Sequence, residues 1–348
     1  MTHIKVSVIV PVYNAELYIE NCLKSIMQQT LYDIEIIVIN DGSTDRSGEI
    51  IESIAKMDNR IIYVKTENQG VGAARNRGVE ISAGDYLGFV DSDDSIEKAM
   101  FEEMYNKAYK YNADIVECQY NVISNGIQVL NNNKCEQDII EENVNYNINS
   151  FFKRYYYSNK KYGNHVWGKL IRSRIVKEKK IVFGDLSKIT GEDLFFGLAI
   201  LPYVNKIVFL NDKLYNYYIR HNSIMNSYNS KITIKTISFI KEVEKYGENF
   251  DNIYDDFLST YLYNLCVATA RVFINNRQAK EFKENISIII NDPIIVKYAK
   301  KVKYNNILFF SNKKKLFMML LRSLIVTKKI NILCILLHLH NYMIKNKH

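Results

Sequence analysis

The sequence predicts an α/β protein in which a mostly parallel sheet is flanked by helices and followed by a helical C-terminal region. Up to about residue 95, short apolar runs that end in polar residues alternate with amphipathic stretches, which is the pattern of successive βα units. Between residues 231 and 292, apolar residues recur near a 3.6-residue period, as they do in packed helices. With 348 residues, 47% of them hydrophobic, the chain can bury one large domain and an appendage.

The first two predicted strands each end in side chains that can bind a ligand. The run from Val6 to Val12 leads into Tyr13 and Asn14, and we expect Asn14 to cap the following helix. That helix is indicated by apolar residues at helical spacing, namely Ile19, Cys22, Leu23, Ile26 and Met27. The second strand, residues 35–40, leads into the sequence Asp41-Gly42-Ser43-Thr44-Asp45.

The third and fourth predicted strands repeat this arrangement. Residues 61–64 are followed by a turn at 67–70 and a helix that carries residues 73–78. Residues 86–90 lead into Asp91-Ser92-Asp93-Asp94. Carboxylates at positions i and i+2 past a strand project into the crevice where open α/β sheets bind ligands, and their crowded charges favour a cation. A divalent ion carrying a phosphate fits such a pair. The other interpretation is that these residues cap a helix.

The four strand ends together resemble the family 2 glycosyltransferases, which are nucleotide-sugar enzymes of the GT-A fold. The residues that carry the resemblance are Pro11-Val-Tyr13-Asn14, Asp41-Gly-Ser-x-Asp45, Asn68-x-Gly70, Ala74-Arg75-Asn76-x-Gly78 and Asp91-x-Asp93. Less specific matches follow in Trp167-Gly-Lys169-Leu170, Gly191-Glu192-Asp193 and Tyr218-x-Arg220-His221-x-x-Ser223. The resemblance extends over residues 4–225 and implies a GT-A catalytic domain at residues 1–225.

Side-chain chemistry and the resemblance together indicate a UDP-sugar donor. Tyr13 can stack on a flat base, and Asp41 can accept the imide N–H that distinguishes uracil from a purine. The resemblance implies that Asp91 lies near the ribose and that Asp93 binds the Mn²⁺ or Mg²⁺ that bridges the diphosphate, with Asp91 as a second candidate ligand. The further candidates for donor binding are Pro11, Asn14, Asn68, Arg75, Arg220 and His221. Two of these residues have an ordinary alternative. Arg75 equally fits an arginine on the surface of a helix, and His221 equally fits a partly exposed histidine without a ligand.

The acidic pair Glu192-Asp193 is the candidate catalytic pair. Asp193 is the expected base for the acceptor hydroxyl, and Glu192 is expected to orient the base or the acceptor. The alternative is that both carboxylates lie in the first turn of a helix and only stabilise the positive end of its dipole. A single direct displacement would invert the anomeric centre, so an α-linked UDP-sugar would give a β-glycoside. Trp167 fits either an acceptor platform or a buried core position.

Three other functions are each suggested by part of the sequence. Gly70-Val-Gly72-Ala-Ala-Arg75 resembles half of a dinucleotide fingerprint, but it lies on the third unit and lacks its third glycine, which disfavours a nicotinamide dehydrogenase. A haloacid-type phosphatase would carry its Asp-x-Asp motif on the first strand, whereas here the motif ends the fourth. A non-catalytic module that binds nucleotide-sugars is the remaining alternative, and the presence of both Asp93 and Asp193 argues against it.

The C-terminal part has a distinct charge pattern. Residues 226–292 are predicted to form a helical extension, and residues 293–348 a basic, apolar tail with twelve Lys or Arg and no Asp or Glu. Basic clusters that alternate with apolar runs favour a helix lying in an anionic membrane surface, and a helical bundle with a solvated basic face is the alternative. The apolar runs are too interrupted for a membrane span. The lack of a reading motif argues against a nucleic-acid partner.

These features lead to an expected location and acceptor. The five cysteines form no CxxC pair and no signal peptide is recognisable, so we expect a cytoplasmic protein attached peripherally to the inner membrane. Similarity to enzymes of bacterial O-antigen and capsule assembly implies transfer of glucose, galactose or an N-acetylhexosamine to a GlcNAc- or GalNAc-type acceptor linked to undecaprenyl diphosphate. Teichoic-acid and protein acceptors stay open, as does the identity of the sugar.

Overall fold

A computed structural model describes residues 3–124, 127–129, 138–144, 165–220, 231–247, 254–275, 278–303 and 312–345. These residues form two compact units. The sheet unit comprises the described residues up to 220, except 187–191. The helical unit comprises residues 187–191 and the described residues from 231 onward.

The sheet unit contains ten described strands and six described α-helices. The strands are β1 (Val6–Val12), β2 (Ile34–Asp41), β3 (Ile61–Thr66), β4 (Tyr86–Phe89), β5 (Ser95–Ile96), β6 (Ile115–Ser124), β7 (Ile127–Val129), β8 (Ile139–Glu141), β9 (Lys169–Arg172) and β10 (Ile207–Ile219). The helices are α1 (Ile19–Met27), α2 (Ser47–Ala55), α3 (Val71–Ile81), α4 (Met100–Tyr111), α5 (Ser173–Glu178) and α6 (Glu192–Ile200).

The sheet has the strand order β3-β2-β1-β4-β9-β6-β10-β5, with β7 paired to β6 and β8 to β10. The first four strands are mutually parallel, as predicted from their βα units. The sheet then continues through β9, which is antiparallel to both of its neighbours, β4 and β6. Strands β6 and β10 are again parallel to each other. The predicted fold class, α/β with a helical C-terminal region, is confirmed.

The strand order reverses at β1, and this positions the candidate site. From β1 the chain adds β2 and β3 on one side, and then returns to add β4 on the other. Every residue of β1, β2 and β4 is buried, as expected for strands covered by helices on both faces of a sheet. Since these strands are parallel, their carboxyl ends meet at one edge. Ligands of open α/β sheets bind at such a reversal point.

Helix α3 packs unusually closely against β1 at Gly78. A Cβ atom placed on Gly78 would lie 2.5 Å from Cγ2 of Ile9, which is a core residue of β1. The absence of a side chain at this position therefore sets the distance between the helix and the sheet.

We expect Gly78→Ala to lower the free energy of unfolding by about 1–3 kcal/mol, because the added methyl group overpacks this contact. Gly197→Ala is the matched control, since Gly197 also lies inside a helix but a Cβ there would have no other atom within 4 Å. The control is expected to stabilise the protein by about 0.4–1 kcal/mol. Urea denaturation of both variants measures the difference, and equal midpoints would contradict the close contact.

The described part of the helical unit consists of six α-helices. They are α7 (Ile232–Gly247), α8 (Asp255–Asn275), α9 (Ala279–Asn291), α10 (Pro293–Lys301), α11 (Asn312–Val326) and α12 (Ile330–Lys345). Of the periodic residues singled out in the sequence, Phe257, Leu258, Leu262 and Leu265 are buried, whereas Tyr261 and Ala268 are partly buried. The helical prediction for this region agrees with these elements. The predicted division at residues 292 and 293 stays a prediction.

Helix α8 meets the length and hydropathy of a membrane span over Phe257–Ile274, but 59% of that segment is buried inside the protein. Among the described helices, it alone does so. Four described cysteines are free thiols: Cys22, Cys118 and Cys266 are buried, and Cys334 is partly buried. Cys135 lies outside the described residues.

Candidate active site

The loops after β1 and β2 are joined through Asn14. Its side-chain Oδ1 accepts a hydrogen bond from the backbone N–H of Thr44 at 2.8 Å, and its own backbone N–H donates to Oγ of Ser43 at 3.1 Å. Helix α1 begins only at Ile19, so the predicted capping role of Asn14 is wrong. The amide instead holds two loops together, with Asn14 in the left-handed region at φ 49°.

The residues around Asn14 differ in their access to a ligand. Tyr13 is 51% exposed and so offers an open ring face at the sheet edge. Asn68 is also exposed, whereas Pro11 is buried within β1. Tyr13 and Asn68 are therefore open to direct contact with a donor, and the role predicted for Pro11 would be limited to shaping the strand end.

Asp41, the last residue of β2, orders the turn that precedes α3. Its Oδ1 accepts from the backbone N–H of Gln69 at 2.9 Å, and its Oδ2 from that of Gly70 at 2.8 Å. The side chain is only 3% exposed. Its Oδ1 also accepts from the Thr66 hydroxyl at 3.5 Å, whereas Oδ2 has a second lone pair open, so the predicted acceptance of an imide N–H stays a prediction.

A buried guanidinium joins the two acidic segments of the site. Arg75 on α3 is 3% exposed. Its Nη2 donates to Oδ1 of Asp91 at 2.9 Å, and its Nη1 contacts Oδ1 of Asp193 at 2.5 Å and Oε1 of Glu192 at 3.3 Å. We name these four residues the arginine cluster. Arg75 is thus a buried centre of three ion pairs rather than a surface arginine, and its predicted contact with a ligand stays a prediction.

Glu192 and Asp193 occupy the first turn of α6, the position that the dipole interpretation requires. Both also face Arg75, so their positions serve the site as well as the helix. Burial raises the pKa of the Asp193 carboxyl to about 7; the Arg75 cation opposes this rise, and the charges of Glu192 and Asp91 add to it. A carboxyl that titrates near neutral pH suits a general base.

Among the aspartates after β4, Asp94 anchors the loop to β10. Asp94 is buried and accepts hydrogen bonds from the Tyr215 hydroxyl at 2.8 Å and the Tyr218 backbone N–H at 2.9 Å. The Tyr215 hydroxyl in turn accepts from the backbone N–H of Asp91. Helix α4 begins at Met100 with Ala99 at its N-cap, so the helix-cap interpretation of these aspartates is wrong.

Tyr215 is a functional residue that the sequence did not reveal, and Asp94 was identified only as part of the Asp run and as a candidate helix cap. They tie the loop after β4 to β10 and so hold Asp91 and Asp93 in place. The only signal in the sequence was the length of the Asp run, because a third adjacent carboxylate needs its own partner. Burial and the charges of Asp91 and Asp93 raise the pKa of Asp94 to about 8.

Asp93 lies beside this anchor and near Arg220. Burial and the charge of Asp91 raise the pKa of the Asp93 carboxyl. The Arg220 Nη2 donates to the backbone carbonyl of Asp93 at 2.8 Å, and its guanidinium carbon lies 4.1 Å from the Tyr18 ring centre. The candidate His221 lies outside the described residues.

Among the described residues, no group of three His, Cys, Asp or Glu side chains forms a ready-made metal site. Mg²⁺ and similar ions are commonly held by one or two carboxylates together with substrate phosphates, so a complete protein cage is not required. Asp93 and Asp91 supply suitable hard oxygen ligands, and none of the ion pairs of the described residues involves the Asp93 side chain. The donor set therefore fits a divalent ion that arrives with a diphosphate.

Trp167 belongs to a buried aromatic stack and is 8% exposed. Its ring is stacked on His165 at 3.5 Å and on Tyr215 at 4.5 Å between ring centres. This matches the core interpretation of Trp167. Because Tyr215 also contacts Asp94, the stack supports the loop after β4.

Comparisons with known sequences all indicate glycosyltransferases. The sequence model of Glycosyl transferase family 2 matches residues 7–179. EpsH of Bacillus subtilis, which carries a glycosyltransferase name, is 31% identical over 299 residues, covering 83% of this chain and 84% of EpsH. The glycosyltransferase GlyA of Streptococcus pneumoniae is 39% identical over 235 residues, covering 65% of this chain and only 32% of GlyA.

A solved structure shares the fold over nearly the whole chain. The crystal structure of S. aureus TarS residues 1–349 in complex with UDP-GlcNAc has a TM-score of 0.74, with 97% of this chain and 92% of that chain covered. The sequence identity is 22%, so this similarity shows the fold alone.

Proposed function

This chain belongs to glycosyltransferase family 2, and from that membership we propose that it transfers a hexose from a UDP-sugar with inversion, forming a β-linkage. The observation that carries the proposal is the arginine cluster, in which a candidate base on α6 and a candidate donor ligand after β4 share one buried cation. The exposed Tyr13 ring and the carboxylate of Asp41 support a uridine site. The UDP-GlcNAc bound to the TarS neighbour supports the choice of a UDP-sugar.

In the proposed reaction, Asp193 accepts the proton of an acceptor hydroxyl while the hydroxyl oxygen attacks the anomeric carbon. The bond from that carbon to the UDP oxygen breaks in the same step, and UDP leaves. Glu192 keeps Asp193 oriented through their shared contact with Arg75. Arg220 provides a cation beside Asp93 for the diphosphate. Mn²⁺ or Mg²⁺ held by Asp93 and Asp91 would neutralise the charge that develops on the leaving group.

For the acceptor, we propose a GlcNAc- or GalNAc-type sugar on undecaprenyl diphosphate, used in O-antigen or capsule assembly at the cytoplasmic face of the inner membrane. The basic C-terminal residues support an acceptor that carries a lipid and a diphosphate. A teichoic-acid or protein acceptor is the alternative. The sugar is glucose, galactose or an N-acetylhexosamine.

UDP release tests this proposal directly. A panel of UDP-sugars is incubated with the protein and Mn²⁺ or EDTA, with and without a synthetic GlcNAc- or GalNAc-diphosphate-lipid. We expect one sugar to give release that the acceptor stimulates and EDTA abolishes. UDP binding without release from any sugar would point to another acceptor or to a non-catalytic binding module. Absence of UDP binding would contradict the donor assignment.

Arg75→Met tests the position of Arg75 beside the base. Because the Arg75 cation lowers the pKa of Asp193, its removal is expected to raise that pKa and to move the rising limb of the kcat–pH profile to higher pH. A rise of one pKa unit would lower kcat about tenfold at pH values below the limb, with recovery at alkaline pH. The measurement is kcat from pH 5.5 to 9 at saturating donor.

Arg172→Met is the matched control for Arg75→Met. Arg172 also pairs with a carboxylate, that of Asp114, and it lies at the opposite end of β4, beside Tyr86. This variant is expected to keep the wild-type pH profile. A lower kcat in Arg75→Met with an unshifted pH profile would contradict the role of Arg75 in setting the charge of Asp193.

A further inference from the structure

The last helix of the helical unit presents an apolar surface on both of its sides. On one side of α12 (Ile330–Lys345), Leu333 and Leu337 are fully buried. On the other, five large apolar side chains are exposed: Ile332, Ile335, Leu339, Tyr342 and Met343. At about 100° per residue these five fall within a stripe about 100° wide, opposite the buried residues. We name them the outer stripe.

The exposure of the outer stripe is substantial rather than marginal. Ile332, Ile335 and Leu339 are 51%, 60% and 57% exposed. A surface helix of a globular protein normally directs its polar residues outward, so a helix with this arrangement is not explained by the packing of its own unit. Contiguous exposed apolar residues of this kind mark a surface that contacts a partner.

The charges around the outer stripe indicate the chemistry of that partner. Lys328 and Lys329 are exposed immediately before α12, and Lys313 and Lys314 are exposed at the start of α11. From Pro293 to the end of the sequence there is no Asp or Glu, so α11 and α12 themselves carry no acidic residue. The partner should therefore combine an apolar interior with an anionic surface, as an anionic lipid leaflet does.

The dimensions of α12 favour a position in the membrane surface. Its 16 residues extend over about 24 Å, whereas the hydrocarbon core of a bilayer is about 30 Å thick. The exposed Asn331 and His338 flank the outer stripe on its polar side. The helix is thus too short to span the bilayer, but its two-sided character suits a helix that lies parallel to the leaflet.

We propose that α12 docks in the interface of an anionic lipid leaflet, with the outer stripe at the acyl boundary and Lys328 and Lys329 at the headgroups. A second copy of the chain is a poorer occupant, because the lysines beside the outer stripe of one copy would repel those of the other. Nucleic acid would match the lysines but not the apolar stripe. The proposal concerns lipid binding, so its failure would leave the sugar-transfer reaction untouched and would remove only the support that the C-terminal residues give to a lipid-linked acceptor.

Flotation of the full chain with lipid vesicles tests the proposal. We expect the wild type to float with vesicles of phosphatidylglycerol and phosphatidylcholine, and much less with phosphatidylcholine alone. Ile335→Asn/Leu339→Asn should weaken binding to the anionic vesicles at least about tenfold, and Lys328→Gln/Lys329→Gln on the order of tenfold. Both pairs are exposed, so circular dichroism and thermal unfolding should match the wild type.

Matched changes elsewhere serve as controls. Met57→Asn/Tyr109→Asn removes two exposed apolar residues of the sheet unit, and Lys56→Gln/Lys98→Gln removes two exposed lysines. Both control pairs should float as the wild type does. Three results would overturn the proposal: no flotation of the wild type, unchanged flotation of the outer-stripe variant, or a wild-type dimer that becomes monomeric when the outer stripe is replaced.

Discussion

Asp193→Asn is expected to lower kcat by about 10²–10⁴-fold, the usual contribution of general-base catalysis. The amide has nearly the same shape as the carboxylate and can still accept a hydrogen bond from Arg75, but it cannot take a proton from the acceptor. Because Asp193 is not itself a candidate donor ligand, and the amide still contacts Arg75, UDP binding should change little. Single-turnover kinetics and UDP titration calorimetry measure the two effects separately.

Glu192→Gln is the control for this substitution. Glu192 lies in the same turn of α6 and contacts the same Nη1 of Arg75, at 3.3 Å. A positioning role predicts a loss under about tenfold, since the base itself is retained. If Asp193→Asn kept the wild-type kcat, or if Glu192→Gln lost as much activity as Asp193→Asn, Asp193 would not be the base.

The pH profile provides a second test of the same residue. The Asp193 carboxyl must be ionised to accept a proton, and its pKa is raised to about 7. Wild-type kcat should therefore rise with pH through about 7 and level off above it. The residual activity of Asp193→Asn should lack this rise, because no carboxyl remains at the position to titrate.

The parallel part of the fold could be predicted because its signals are local. The apolar runs at β1, β2 and β4 are continuous since both faces of each strand are covered, and each run ends in the polar residues that line the sheet edge. Because successive βα units make these strands parallel, their carboxyl ends lie at the same edge of the sheet. The antiparallel β9 gave no such signal, because it is four residues long and its partners β4 and β6 are distant in sequence.

The sequence indicates which residues belong to the site better than it indicates what those residues contact. Arg75 looks the same in sequence whether it lies on a helix surface or at the centre of three ion pairs, since its partners at 91, 192 and 193 come from other elements. Asn14 fits a helix cap by composition, but φ and loop contacts decide its role. Likewise, the alternating basic and apolar runs of residues 293–348 indicate a membrane-surface helix without revealing which residues of α12 are buried in its own unit and which stay exposed.

Asp93→Asn is expected to abolish metal-stimulated turnover, with a fall in kcat/KM on the order of 10²–10³-fold, because loss of one electrostatic stabiliser of the transition state typically costs this much. The amide oxygen is a weaker ligand than a carboxylate for hard divalent ions. We therefore also expect a higher Mn²⁺ concentration for half-maximal activity. The Asp93 carbonyl still accepts from Arg220, and Asp94 still binds Tyr215, so the loop should keep its position.

Asp33→Asn controls for loss of a negative charge on the same sheet. Asp33 precedes β2 at the opposite edge of the sheet and pairs with Lys5 at 2.9 Å. It should keep wild-type kcat/KM and Mn²⁺ dependence, while thermal unfolding of both variants stays close to that of the wild type. Wild-type turnover that resists EDTA, combined with an inactive Asp93→Asn, would mean that Asp93 acts on the donor without a metal. Full activity of Asp93→Asn would show that Asp93 has no part in the reaction, because both metal binding and a direct contact with the donor would require its negative charge.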